Sequence, residues 1–256
     1  MAKRKKVWGY GWLPDIPDQR DILYSVRHPL PSTIPTAVDL RASCSPMEDQ
    51  GSLGSCTAQA LVGALEFLEL RDGVEFVDLS RLFIYYNERV ILHTVTSDSG
   101  AMLRDGIKTL ARKGVCAEKK WPYRISRLRN KPTAACFKEA LDHQITSYQR
   151  ILTLEEMLAC LSAGFPFVFG FTVYESFEST EVTRTGEAQL PRSDERIVGG
   201  HAVLAVGFDR ARERFTCRNS WGTAWGRDGY FTMPFEYLQN RNLSDDFWTI
   251  QRGENM

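Results

Sequence analysis

Apolar residues recur after Ser55 at the spacing of one buried helical face: Leu61, Ala64, Leu65 and Leu68 fall at i, i+3, i+4 and i+7. Ser55 can cap that helix, Gly73 stops it, and Cys56 sits in its first turn. A second helix starts at Ser80, carrying Leu82, Phe83, Tyr86 and Val90. A third covers roughly 101–112, with Leu103, Ile107 and Leu110 inward and Gly114 as terminator. From about residue 145 the character changes. Thr153 to Glu156 reads as a capping box opening a short helix to Ala163. Strand-like runs follow at 166–174, 201–209, 214–221, 229–234 and 247–252, rich in Val, Phe, Tyr and Thr and bounded by Gly or Asp. The polar stretch 178–197 reads as a long surface loop.

The first 35 residues follow neither period. Pro14, Pro17, Pro29, Pro31 and Pro35 rule out long helices there and keep the chain extended. Trp8, Trp12, Leu13 and Leu23 give this arm apolar anchors, so it should lie on a surface or in a groove. A helical half followed by a β half predicts an α+β fold. The organisation expected is an arm over 1–35, a helical lobe over 36–144 and a β-rich lobe over 145–256. A site built from both lobes would lie in the groove between them.

Composition narrows the class. A chain of 256 residues can bury a sizeable core. Lys+Arg and Asp+Glu are 32 each, so no charge excess calls for nucleic acid or an acidic membrane. Lys3, Arg4, Lys5 and Lys6 read as a solvated tail. No apolar run approaches the roughly 18 residues of a membrane span. No apolar stretch of about 7–15 residues follows the basic start, so cytoplasmic synthesis without classical export is expected, with non-classical secretion as the other route. None of the six cysteines forms a CxxC pair, so free thiols are expected rather than a zinc site. A disulfide among Cys44, Cys116 and Cys136 is left open.

Cys56 stands out because unpaired N–H groups and the dipole at a helix start favour an anion, which lowers a thiol's pKa. The alternative for any one cysteine is a small buried hydrophobe. A thiolate needs a base. Of the four histidines, His28 lies in the arm, His93 ends a helix and His143 sits in a polar stretch. His201 follows Gly199-Gly200 and opens an apolar strand, where glycines let backbone or substrate come close. Asn219 closes the next strand beside Trp221; its carboxamide can fix an imidazole and the indole can shield that bond from water.

Together these pieces resemble the papain-like cysteine peptidases over about residues 35–252. The family's Q-G-x-C-G-S-C-W appears as Gln50-Gly51-Ser52-Leu53-Gly54-Ser55-Cys56-Thr57. Its histidine strand appears as Gly200-His201-Ala202-Val203, and N-S-W-G-x-x-W-G-x-x-G-Y is matched throughout from Asn219 to Tyr230. The histidine and asparagine fall roughly 150 residues after the cysteine, near the family's separation. Val38-Asp39-Leu40-Arg41, Leu79-Ser80 and Trp121-Pro122-Tyr123 resemble further family segments.

The chain also departs from the pattern. Leu53 replaces a disulfide cysteine, Thr57 replaces the tryptophan after the nucleophile, and Ser97-Asp98-Ser99-Gly100 replaces C-N-G-G. Long propeptide helices are absent, which looks like a bacterial or archaeal branch.

The resemblance implies a two-lobe fold, a helical lobe and an antiparallel barrel-like β lobe, with the active site in the cleft between them. It implies Cys56 and His201 as a thiolate–imidazolium pair, Asn219 holding the histidine, and Gln50 with the Cys56 N–H as oxyanion donors. Protein or peptide is then the substrate, with no metal or cofactor. Gly54, Gly100, Ala101, Met102, Gly200, Ala202 and Trp221 would line the substrate cleft. Their small or apolar character predicts an apolar residue at the second position before the cut. The aromatic anchors of the arm raise the expectation that residues 1–35 occupy the cleft and hold the enzyme latent, against an extension packed on the outside. Other readings are an acyltransferase or deamidase using the same thioester, and a non-catalytic binding protein. The intact Gln50, Cys56, His201 and Asn219 weigh against the last.

Overall fold

The protein is described by a computed structural model over residues 9–252; the basic tail at Lys3 to Lys6 and the anchor Trp8 lie outside the described residues. Its helices are α1 (Tyr24–Arg27), α2 (Cys56–Arg71), α3 (Arg81–Ile91), α4 (Leu103–Arg112), α5 (Ala134–Ala140), α6 (Leu154–Ser162), α7 (Thr180–Thr185) and α8 (Phe235–Gln239). Its strands are β1 (Ala37–Asp39), β2 (Ser147–Arg150), β3 (Phe167–Tyr174), β4 (Ile197–Asp209), β5 (Arg214–Arg218), β6 (Tyr230–Pro234) and β7 (Ser244–Gln251).

The helix predicted after Ser55 is α2, and every residue from Cys56 to Leu68 is buried. One apolar stripe understates it, because α2 is enclosed by β4 on one side and by α3 and α4 on the other. Ser55 does not cap it: its hydroxyl bonds the Tyr123 hydroxyl at 2.5 Å, so the first N–H groups of α2 are left to other partners. Ser80 does cap α3, accepting from the Phe83 N–H at 3.2 Å. The capping box of Thr153 and Glu156 is formed on α6. The segment 178–197 is not all loop, since Ser179 caps the short α7 within it.

The strands form one antiparallel sheet in the order β2-β7-β3-β4-β5-β6, with β1 added against β4. The barrel-like sheet is not closed: β2 and β6 are the two ends of an open sheet. Strand β4 is the pivot. It faces α2, and its register with β3 sets Ala202 opposite Gly170 and His201 opposite Phe171. All six cysteines are free, so no bridge joins Cys44, Cys116 and Cys136.

One buried acid lies under the site helix. Glu88 is fully buried and accepts from the Thr57 hydroxyl at 3.0 Å. Burial pushes its carboxyl up from 4.5 to about 8. A raised acid favours the protonated folded state, so its contribution is complete below about pH 4.5 and is lost as pH rises through about 8. Glu88→Gln, uncharged and of equal size, is expected to raise the melting temperature at pH 8.5 by about 4 °C or more. No rise is expected at pH 5. Calorimetry at both values checks this.

Candidate active site

Each catalytic candidate is placed by a different element. Cys56 opens α2, His201 lies inside β4, and Asn219 follows β5. The backbone N–H of Ala202, next to the histidine, acts on the Cys56 thiol and favours its thiolate, so the thiol and the imidazole strand meet at one spot. His201 Nε2 lies 2.8 Å from Asn219 Oδ1. Asn219 Oδ1 also accepts from the Ser220 N–H at 2.8 Å, so it is the acceptor and Nε2 carries the proton. Nδ1 is then the free lone pair; it is buried and has no hydrogen-bond partner among the described residues. Trp221 covers this bond, stacked on the imidazole with centroids 4.9 Å apart and planes 28° from parallel.

Gln50 is fixed from two sides. Its Oε1 accepts from the Ser220 hydroxyl at 2.5 Å, which turns its Nε2 towards the cleft. Asp98 replaces the missing cross-link of this region. Its two oxygens each accept from the Gly54 N–H at 3.1 Å, and the Tyr85 hydroxyl donates to the same carboxylate. The loop before α2 is thus tied to the loop before α4 without sulfur.

The cleft is filled by the arm. Gln50 Nε2 donates to the Gly9 carbonyl at 2.9 Å, and the Gly9 N–H donates to Gly51 at 3.2 Å. The Gly11 N–H donates to the Gly200 carbonyl at 3.1 Å and also favours the Cys56 thiolate. Gly11 fits because a Cβ on it would stand 1.8 Å from the Gly54 carbonyl oxygen, and one on Gly100 would stand 2.3 Å from the Gly11 oxygen. The Ala101 N–H donates to the Gly11 carbonyl at 2.7 Å, and the Leu13 N–H returns a bond to Ala101 at 2.9 Å. Tyr10 stands edge-on to His201 and Trp221, and its hydroxyl bonds Glu178 at 2.6 Å.

This cover reverses the expected electrostatics. Burial pushes the Cys56 thiol up to about 12, beyond what the N–H groups of Ala202, Gly11 and Thr57 offset. Burial likewise pulls His201 down to about 4, against the opposing bond to Asn219. With the arm in place both groups are neutral. The helix-start argument omitted desolvation, which wins while water is shut out.

The structure brings together Gln50, Gly54, Cys56, Gly100, Ala101, Gly200, His201, Ala202, Asn219 and Trp221 around this stretch of arm. Met102 instead lines a neighbouring groove with Ile16, Pro17 and Arg104. Sequence reasoning does not find Ser220, Asp98 and Tyr85. Ser220 carried a signal, lying inside the asparagine motif; the others depend on tertiary contacts.

A thiol, an imidazole held by a carboxamide, and an amide donor around one groove define a thiol hydrolase. The chain belongs to the papain family of cysteine proteases, whose sequence pattern matches residues 34–245. It is similar to xylellain, a cysteine protease from Xylella fastidiosa, with 43% identity, a TM-score of 0.89, and coverage of 99% of this chain and 100% of that one. An uncharacterized peptidase C1-like protein of Acanthamoeba polyphaga mimivirus is 40% identical over 94% of this chain and 86% of its own length. A cathepsin B-like protein of Giardia intestinalis is 28% identical, covering 78% of this chain and 69% of its own.

Proposed function

We propose that Cys56 is the nucleophile of this cysteine protease, that it cuts within peptides, and that residues 9–13 hold it latent. The observation that carries this is the Gly9 carbonyl on Gln50 Nε2 at 2.9 Å: a peptide carbonyl rests on the donor expected to receive an oxyanion. Once the arm leaves, water returns, and a proton can pass from the Cys56 sulfur to His201 Nδ1. The thiolate then attacks the peptide carbonyl carbon and forms a C–S bond. Gln50 Nε2 and the Cys56 N–H hold the negative oxygen. His201 gives its proton to the leaving amine as the C–N bond breaks. It next takes a proton from water, which attacks the thioester and releases the acid and the thiol. Asn219 keeps Nδ1 turned to the sulfur. The apolar walls of the cleft support an apolar residue at the second position before the cut.

An epoxide inhibitor mapped by mass spectrometry tests the assignment. The chain without residues 1–13 should be labelled at Cys56, with peptide hydrolysis lost in step. Active protein left unlabelled at Cys56 would end the reading. Asn219→Ala removes a buried hydrogen bond of about 1–2 kcal/mol. It is expected to lower kcat by about five- to thirtyfold with little change in KM. A change confined to KM would assign Asn219 to substrate binding instead.

A further inference from the structure

The side chain of Trp12 occupies a pocket beside the thiol, and the make of that pocket is specific. Trp12 is 8% exposed. Its backbone N–H donates to the Gly200 carbonyl at 3.0 Å and its neighbours bond Ala101, so its side chain is delivered from between the two walls that flank Cys56. The indole lies flat on Gly170: a Cβ there would stand 1.9 Å from the ring. Gly200 leaves the second wall low, since its Cβ would stand 3.0 Å from the same ring. Gly170 is in the middle of β3, a position where strands disfavour glycine unless something packs closely.

At the base stands a carboxylate. Asp246 is 1% exposed, and its Oδ2 accepts from the Trp12 indole N–H at 3.0 Å. The same oxygen accepts from the Asp15 N–H at 2.8 Å, while Oδ1 pairs with Arg150 at 3.2 Å. Losing residues 1–13 strips this buried oxygen of its indole donor. A purely apolar replacement leaves that oxygen with the Asp15 N–H alone and one lone pair unmatched in a buried place, which is costly. A cation gains less than the carboxylate suggests, because Arg150 already pairs with Asp246 and the charges of Arg104 and Arg150 already act on Asp15.

We infer that a substrate runs opposite to the arm, so that the Trp12 pocket receives the substrate residue two before the cut and selects tryptophan, with Gly170 setting its depth and Asp246 reading the ring N–H. This rests on the peptidase reading above and narrows its apolar preference.

The test uses the chain lacking residues 1–13 and fluorogenic peptides that differ only at that position, carrying Trp, Phe, Leu, Val, Ala or Arg. Trp is expected to exceed Phe in kcat/KM by about tenfold or more. In Asp246→Asn, Arg150 takes the amide oxygen and turns the NH₂ to the pocket, so the Trp-to-Phe ratio should fall to about one or below. Asparagine tolerates the left-handed backbone there, φ 57°. Gly170→Ala should cut Trp turnover at least about tenfold relative to Val and Ala, because the ring no longer fits. A Phe rate equal to Trp, an Arg rate above Trp, or an unaltered ratio in Asp246→Asn overturns the inference while leaving a peptidase. Cleavage of none of the peptides overturns the peptidase reading itself.

Discussion

Cys56→Ala, His201→Ala and the double variant, each made in the chain lacking residues 1–13, are expected to cleave peptide at one common rate at least about 10⁴-fold below the parent. The reason is that the two side chains serve one step. A thiol that keeps its proton is a weak nucleophile, and an imidazole with no thiol to relieve has nothing to transfer. Removing either therefore removes the whole covalent route, and removing the second costs little more. The Gln50 donor remains in all three variants, which sets the common floor. Stability is a poor explanation for such a loss, because both side chains are small contributors to the core and Cys56→Ala preserves most of the buried volume. Thermal melts of the three proteins separate the two causes. A His201→Ala protein retaining more than about a tenth of parental turnover would remove the imidazole from the chemical step. A double variant far below both singles would mean that the residues act in separate steps.

How much of this could be read from the residues varies with how local the signal is. Helix α2, the cap of α3 and the capping box of α6 are written in neighbouring residues, and the sequence places them within a residue or two. The candidate site was legible because His201 and Asn219 sit in short motifs whose glycines and tryptophans have few other uses. Features made by distant pairs were not. Nothing near Asp98 announces that it will hold Gly54 across 44 positions. Ser55 looked like a cap, but Tyr123, 68 positions on, competes for its hydroxyl. How far the barrel-like sheet closes was hidden for the same reason: strand order depends on which edges meet, and among the described strands β2 pairs with β7 alone. The pKa of Cys56 differs from the expectation because its own helix favours the thiolate, while burial, completed by the distant arm, outweighs that and the Gly11 N–H together.

Removing residues 1–13 is expected to raise peptide turnover at least about a hundredfold over the full chain, the change that follows if seating the arm is worth about 2.7 kcal/mol. The cut belongs there and not at residue 35. Tyr24 is buried, and the Arg150 N–H donates to the Ile22 carbonyl at 2.8 Å, so residues beyond 13 also hold up the sheet. Equal turnover before and after trimming would reject latency.

The gain should also depend on pH, with a definite sign. Asp15 of the arm and Asp246 of β7 are both buried. Burial raises both carboxyls, and with the charge of Asp15 it brings Asp246 to about 7. Arg104 from α4, Arg150 from β2, and the acids Asp21 and Asp245 surround the pair without cancelling that rise. Asp15 and Asp246 both stay in the trimmed chain, but without Trp12 the pocket admits water to Asp246, so seating the arm favours the protonated carboxyl and is opposed as pH climbs through about 7. Comparing trimmed with full chain at each pH removes the chemistry's own dependence. That ratio is expected to fall by about tenfold from pH 5 to pH 8, the change that follows if opening lowers the Asp246 pKa by about one unit. A ratio that grows with pH would show that acid, not base, loosens the arm, and the carboxylate pair would then have no part in its release.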